Sequence, residues 1–242
     1  MTSRPLADGP FGYHGKVLQI DLSARRAWFK TPDESFWRIY GGGGLVATAY
    51  LLRHTPAGLD AFDPAMLLIF TSSVVAGHPY VGLARFTVAS KSPLTGGIGE
   101  TRAEGPFGMA LKRSGADAII LSGAASAPVN VLIEAEPGEV SFHDAAGMWG
   151  KTVSSTVGAL TAEFGSGIHS AVIGPAGENQ VRYASIVTDG TYQAPRMGMG
   201  AVMGAKWLKA VVICGEKRPR WRMRRRAKAS HRAMRAGCGR TI

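Results

Sequence analysis

One stretch of the chain occurs twice, and that repetition limits what it can fold into more than any other feature. GMALKRSGADAIILSG runs from Gly108 to Gly123, and GAVMGAKWLKAVVICG from Gly200 to Gly215. At a constant offset of 92 positions Gly108 matches Gly200, Leu111 matches Met203, Ala118 matches Ala210, and Gly123 matches Gly215. Each copy reads as a glycine-rich loop, a short helix and a buried strand. Each follows a strand with a basic–aromatic pair, Arg85-Phe86 and Arg182-Tyr183. Two copies do not make a solenoid. They imply two half-domains related by a pseudo-two-fold axis, with the segments 96–107 and 188–200 as loops lining a shared site.

The remaining elements fit that frame. Residues 15–32 read as a β-hairpin. Residues 33–55 read as helix, glycine-rich bend and helix, with Asp33 as the N-cap. AMLLIFTSS and LARFTVASKS are apolar strands, 129–145 is a second hairpin across Pro137-Gly138, and 152–165 is a helix closed by glycine. SAVIGPAGEN, VRYASIVT and LKAVVICG read as further strands. The expected fold is therefore α+β: two mainly antiparallel β-sheets with short helices and a pseudo-two-fold internal repeat. Residues 1–216 form this unit, and 217–242 are a basic tail expected to be disordered.

Charge is unevenly placed. The chain has 28 Lys and Arg against 17 Asp and Glu. Residues 217–242 contain 11 of the basic residues and no acid, which leaves the body formally neutral. A nucleic-acid partner argued from net charge would concern the tail alone, and none is expected for the body. Cys214 and Cys238 are too few for a disulfide scaffold or a four-cysteine metal site, and Cys214 reads as a buried small hydrophobe. No apolar run reaches the ~20 residues of a membrane span, and Met1 to Gly12 lacks an apolar leader core, so a cytoplasmic protein is expected.

Catalytic motifs are absent. Gly198, Gly200 and Gly204 stand ten residues beyond the preceding strand, so they do not make a dinucleotide fingerprint, and Gly204-Ala205-Lys206 lacks the ending of a phosphate-binding P-loop. Close helix packing is the simpler use of these glycines. His78 before Pro79, and His143 beside Asp144, have no readable nucleophile partner. Arg85, inside an apolar strand, needs a carboxylate such as Glu104 or Asp189, or a polar ligand suited to a planar guanidinium. Arg102 and Glu104 lie between glycine turns and read as solvent-facing loop charges or as ligand contacts.

Seven blocks, in order from about residue 11 to 215, resemble the N-terminal domain of the tungsten- and molybdenum-dependent aldehyde:ferredoxin oxidoreductases. They are GYHGKVLQIDLS, YGGGGLVATAYLL, ASKSPLTGGIGE, GPFGMALKRSGADAIILSG, MWGK, IGPAGENQVRYASIVTDG and RMGMGAVMGAKWLKAVVICG. The resemblance implies a base of two symmetric sheets on which a tungsten or molybdenum bis-pyranopterin lies. Two helical domains, absent from these blocks or supplied by a separate chain, would carry the [4Fe–4S] cluster and cover the cofactor. Ferredoxin would accept the electrons of aldehyde oxidation, and no membrane partner is implied. By carry-over Arg85 lies by the pterin. The loop that includes Arg102 and Gly105 reaches the pterin phosphates, where magnesium is a candidate ion. Gln193, Ala194 and Arg196 belong to the second loop. No catalytic or metal-ligating residue is carried over.

The family often has Asn at the place of Arg102, Gly at Glu104, and Arg at Gly43 and Tyr192. Direct contact from Arg102 to phosphate is thus the alternative to a metal bridge, and the isolated chain is expected to be inactive. The resemblance ends at Gly215. The tail is a truncated or frameshifted end, or a genuine appendage. With an appendage, the other function class is a non-catalytic binding or scaffold module that uses the basic tail for acidic partners.

Overall fold

The first half of the chain is laid down as hairpin, helices, strands, helix and strand. A computed structural model describes residues 12–77, 82–135 and 138–217. The alternation in residues 15–32 becomes β1 (Val17–Asp21) paired antiparallel with β2 (Arg26–Lys30). The Asp33 side chain accepts a 2.8 Å bond from the Phe36 amide, starting α1 (Glu34–Tyr40), and Gly41 ends it at φ 59°. After two more glycines comes α2 (Gly44–His54). The half is completed by β3 (Leu68–Ser72), β4 (Arg85–Lys91), β5 (Ile98–Glu104), α3 (Pro106–Arg113) and β6 (Ala118–Ser122).

The second half repeats this plan. Hairpin β7 (Val129–Glu134) and β8 (Val140–Asp144) is followed by α4 (Val153–Phe164), whose N-cap is the Thr152 hydroxyl. Then come β9 (His169–Val172), α5 (Pro175–Glu178), β10 (Ile186–Thr188), β11 (Tyr192–Ala194), α6 (Met199–Ala205) and β12 (Leu208–Cys214). One six-stranded sheet is ordered β2-β1-β6-β3-β4-β5, and the other, read from its matching edge, β8-β7-β12-β9-β10-β11. Each has one parallel pair, β1 with β6 and β7 with β12, and all other pairs are antiparallel. The repeat expected from the sequence is thus present strand for strand.

Side-chain alternation sorts each sheet into two faces. The inner faces meet in one core with α3 and α6, including Phe70, Phe86, Phe107, Ile119, Val131, Ile186, Met199 and Val211. The outer face of the first sheet packs Ile69, Ala89 and Ile120 under Phe36, Trp37, Val46 and Tyr50 of α1 and α2. The outer face of the second packs Leu132, Val172 and Val212 under Leu160 of α4. Among the described residues, no helix is long and apolar enough to cross a membrane.

The structure changes three readings. The segments taken as loops contain the edge strands β5 and β11. The strand expected at SAVIGPAGEN stops at Val172 and gives way to α5. The strand expected from Val181 begins only at Ile186, so Arg182-Tyr183 occupies a turn. The ladders pair Thr87 with Thr71 and Val187 with Val172, on rungs leading to Ala118 and Ala210 respectively. Thr87 therefore corresponds to Val187, and Arg85 to Ser185 rather than Arg182. Cys214 is half-buried, against the small cluster under α4. The His78-Pro79 pair, Pro137 and the tail from residue 218, with Cys238, lie outside the described residues.

The core holds three fully buried lysines. Lys112 is ion-paired with buried Asp117, which also accepts the backbone amides of His14, Gly15 and Lys16 ahead of β1. At the position 92 residues on, Lys209 is paired with Glu178, and that carboxylate accepts the Gly150 amide. The two halves thus use opposite charges for the same task, anchoring a distant segment beside a central strand. Lys206 instead donates to two carbonyl oxygens, Pro64 O at 3.0 Å and Gly123 O at 2.9 Å. Burial pulls its pKa from 10.5 down to about 8, opposed by the charges of Asp63 and Asp21.

Two outcomes are expected. A Cβ on Gly204 would clash with the Gly177 carbonyl, where α5 crosses α6, whereas one on Gly158 in α4 meets nothing within 4 Å. Gly204→Ala should cost about 1–3 kcal/mol in chemical denaturation, and Gly158→Ala should gain about 0.5–1 kcal/mol. Between pH 8 and 10.5 the unfolded Lys206 keeps a proton that the folded one has lost, so folding becomes more favourable as pH rises. The stability of the wild type relative to Lys206→Met should therefore rise across that window, by roughly 3 kcal/mol at most, measured by denaturation at each pH.

Candidate functional site

The two sheets approach each other along β5 and β11, their matching edge strands. The ring of Tyr192 fills the space beside Gly105, where a Cβ would come within 2.6 Å of it. The Arg196 amide donates to the Thr101 hydroxyl oxygen at 3.1 Å. In the opposite direction, the Asp189 carboxylate of the β10–β11 turn accepts the Phe107 amide at the start of α3 (2.9 Å). Its other oxygen accepts the Ser170 amide at 3.0 Å, and His169 Nδ1 lies 3.4 Å away. Asp189 holds φ 50°, a left-handed conformation that Asp tolerates better than most residues. Each half thus supplies an acceptor to the segment that precedes or begins the other half's repeat helix.

Above this seam, the outer face of the first sheet carries a strip of charge. On β4, Phe86 and Val88 point to the core, so Arg85 and Thr87 share the face of Ala89. Across the ladder Arg85 lies opposite Glu104, Thr87 opposite Arg102, and Ala89 opposite Glu100. Arg85 Nε is 3.4 Å from Glu104 Oε2, and its side chain is 67% exposed. The expected carboxylate partner is therefore Glu104, but the pair is open to water and worth little to stability. Arg102 Nε is 2.5 Å from Glu100 Oε1. The Glu100 carboxylate occupies the position a Cβ would take on Gly44, at the amino end of α2.

The six residues named from sequence divide into two kinds. Arg85, Arg102, Gln193 and Arg196 are exposed. Gly105 and Ala194 are buried; Ala194 belongs to the inner core and is 0% exposed, backbone included. All but Arg85 lie on, or within two residues of, the adjoining edge strands, and Arg85 is one strand inward. Reading 96–107 as a loop concealed Glu100 and Thr101. The polar–nonpolar alternation of ETRAE was the available signal for an edge strand with a wet face. Elsewhere, His143 contacts Ser141 (2.8 Å) and Glu163 (3.7 Å) in an isolated surface group. Among the described residues no three of His, Cys, Asp and Glu are grouped as metal ligands.

The donor set fits an anionic, phosphate-bearing ligand. Arg85 and Arg102 are exposed on the outer face beside Glu104 and Glu100, and Arg196 is exposed two residues beyond β11. A Cβ on Gly43 would meet only the Thr87 hydroxyl oxygen, at 4.0 Å, leaving open space beside the strip. The Thr71 hydroxyl, on the rung next to Thr87, is buried without a hydrogen-bond partner.

Two six-stranded sheets of matching strand order with a polar seam define the class, an α+β two-sheet domain. Residues 17–215 match the family model "Aldehyde ferredoxin oxidoreductase, N-terminal domain". The chain is 41% identical over 209 residues to the tungsten-containing aldehyde ferredoxin oxidoreductase of Pyrococcus horikoshii, covering 86% of this chain and 34% of that protein. It is 30% identical over 223 residues to the aliphatic sulfonate oxidoreductase WOR-like subunit of Pyrococcus furiosus, covering 85% and 35%. A solved structure described as the active site complex BamBC of benzoyl coenzyme A reductase with 1,5-dienoyl-CoA matches with TM-score 0.83 at 33% identity, covering 87% of this chain and 32% of that one. The chain belongs to the aldehyde ferredoxin oxidoreductase family. It spans about a third of the length of the curated relatives it matches.

The seam generates a stability prediction. Asp189→Ala removes the acceptor of two amides and leaves a β-carbon at positive φ without compensation, so a loss of about 1–3 kcal/mol is expected in thermal or chemical denaturation. Asp189→Asn should lose less, because it keeps one acceptor oxygen.

Proposed function

We propose that the seam between β5 and β11 is the platform for a tungsten or molybdenum bis-pyranopterin, within an oxidoreductase that converts an aldehyde or related oxo group to the acid. The observation that carries this reading is the convergence of Arg102, Gly105, Gln193, Ala194 and Arg196 on two adjoining edge strands, with Arg85 one strand inward. When bound, the cofactor supplies the two-electron chemistry at its metal. The chain's own residues bind and orient it. Arg85, Arg102 and Arg196 offer planar, charge-assisted donors to phosphate and pterin acceptors. Magnesium is a further ion at the phosphates, beside the segment of Gly105 and Ala194. Cover from water, the [4Fe–4S] cluster and the docking of ferredoxin belong to domains outside this chain.

The names of the relatives support an oxidoreductase but differ in substrate, so the base is read as holding the cofactor and not as choosing the substrate. Two results test this. The 242-residue chain alone should show no aldehyde oxidation in a dye-linked assay. Joined to the remaining domains of a relative and produced with tungstate or molybdate, the chain should retain metal and pterin. Arg85→Ala should then lower cofactor content while moving stability by no more than about 0.5 kcal/mol, as for other exposed positions. Arg85→Lys should recover only part of the content, since a point charge lacks the planar fork. Unchanged metal and pterin content in Arg85→Ala would withdraw its cofactor role.

A further inference from the structure

At the opposite edge of the second sheet from β11, three side chains form a polar relay that neither the core nor the seam uses. Ser141 and His143 stand two apart on β8, the outermost strand, and so share one face. Their ladder partners are Leu132 and Asn130, and Leu132 packs under α4, so both side chains lie on the face that α4 covers. Ser141 Oγ is 2.8 Å from His143 Nε2. On the other side of the ring, His143 Nδ1 is 3.7 Å from Glu163 Oε1, near the C-terminal end of α4. The imidazole meets the Phe164 ring edge to face, with centroids 4.9 Å apart, which limits its rotation. Ser141 and His143 are half-buried and Glu163 is exposed, so all three are open to solvent.

The two ring nitrogens have different neighbours. A carboxylate only accepts, so the proton of the neutral ring belongs on Nδ1, and Nε2 is left to accept from the Ser141 hydroxyl. The serine thus has a base beside it, and the base has an orienting acid. At 3.7 Å the carboxylate is just beyond hydrogen-bond reach, and contacts of this kind tighten when substrate is bound. Acyl transfer also needs a donor for the oxyanion that develops on the carbonyl. The β7–β8 ladder is flanked by the Glu134 amide on Glu139 O and the Ala145 amide on Pro128 O. Bonded pairs alternate in an antiparallel ladder, so the amides of Ser141 and His143 turn toward β7. The Phe142 amide, which directly follows the serine, turns to the open edge.

We propose that Ser141 and His143, with Glu163 as the positioning residue, form a site that transfers the acyl group of a small neutral carboxylic ester to water. Ser141 Oγ attacks the carbonyl carbon while His143 Nε2 takes the hydroxyl proton, and the resulting oxyanion lies by the Phe142 amide. The alcohol leaves with the proton from His143, and an acyl-serine remains. Water, losing its proton to His143, attacks that acyl group, which releases the acid and restores Ser141. The carboxylates of Glu163 and of Asp144, the next residue on β8, disfavour an anionic ester. The proposal does not depend on the platform reading of the seam.

The test mixes the 242-residue chain with excess p-nitrophenyl acetate, follows nitrophenolate release, and looks for acetyl on Ser141 by peptide mass spectrometry after acid quench. The wild type should give a burst and an acetyl group on Ser141. Ser141→Ala should remove both and leave only the slow hydrolysis that any exposed imidazole gives. His143→Gln should slow acylation by about 100-fold, as for loss of a general base. Glu163→Gln should slow it by about tenfold with KM unchanged, as for a group that orients the base without touching substrate. Melting curves confirm that each variant is folded. Absence of acetyl from Ser141, a burst that survives in Ser141→Ala or His143→Gln, or a rate that Glu163→Gln leaves unchanged would overturn the proposal.

Discussion

The arrangement of the whole molecule depends on reciprocal hydrogen bonds across the seam. Asp189 of the second half accepts the Phe107 amide of the first, and Thr101 of the first accepts the Arg196 amide of the second. An edge strand normally exposes unpaired backbone groups. Here β5 and β11 are placed side by side, and polar groups from each half meet orphan amides at or just before the other half's repeat helix. The helices α3 and α6 are thereby fixed over the common core. The strip of Arg85, Arg102 and Glu104 is left on the outer face, a surface with water on it but a rigid sheet beneath.

Much of this plan was legible because the repeat joins elements of unlike character at one offset. GMALKRSGADAIILSG and its second copy each give a helix and a central strand, α3 with β6 and α6 with β12. The offset fails upstream for a geometric reason. Thr87 corresponds to Val187, and Arg102 to Gln193, so the turn between β4 and β5 is longer in the first half than its counterpart between β10 and β11. Pairing Arg85 with Arg182 by eye crossed that difference in length. By sheet register the counterpart of Arg85 in the second half is Ser185, and the apparent symmetry of the charges disappears.

Other features carry little signal in a one-dimensional pattern. Lys112, Lys206 and Lys209 sit in segments that read as helix ends and strand starts, where a lysine is ordinarily taken to face water. Their burial depends on particular acceptors: Asp117, five residues on and itself tied to the start of β1, and, farther off in sequence, Glu178 on α5 and the carbonyls of Pro64 and Gly123. Removing one member of such a pair leaves the other charge buried, which costs more than the pair contributes. The glycines of α6 were easier to assign, since the neighbouring backbone of Gly177 and Ser185 leaves no room for a Cβ at Gly204 and Gly200. They are a packing device.

The seam also bears on why one base occurs in enzymes with different names. The 41%, 33% and 30% identical relatives carry the names aldehyde ferredoxin oxidoreductase, benzoyl coenzyme A reductase and aliphatic sulfonate oxidoreductase, and this chain covers about a third of each. Backbone symmetry is set by core packing and by the seam bonds. The exposed positions over the seam are free to differ, because exposed pairs such as Arg85–Glu104 add little to folding. The first half presents Arg102 where the second presents Gln193, with no change in strand order. The outer rungs of the two edge strands can thus differ in chemistry, while the fold is decided by the residues facing the core.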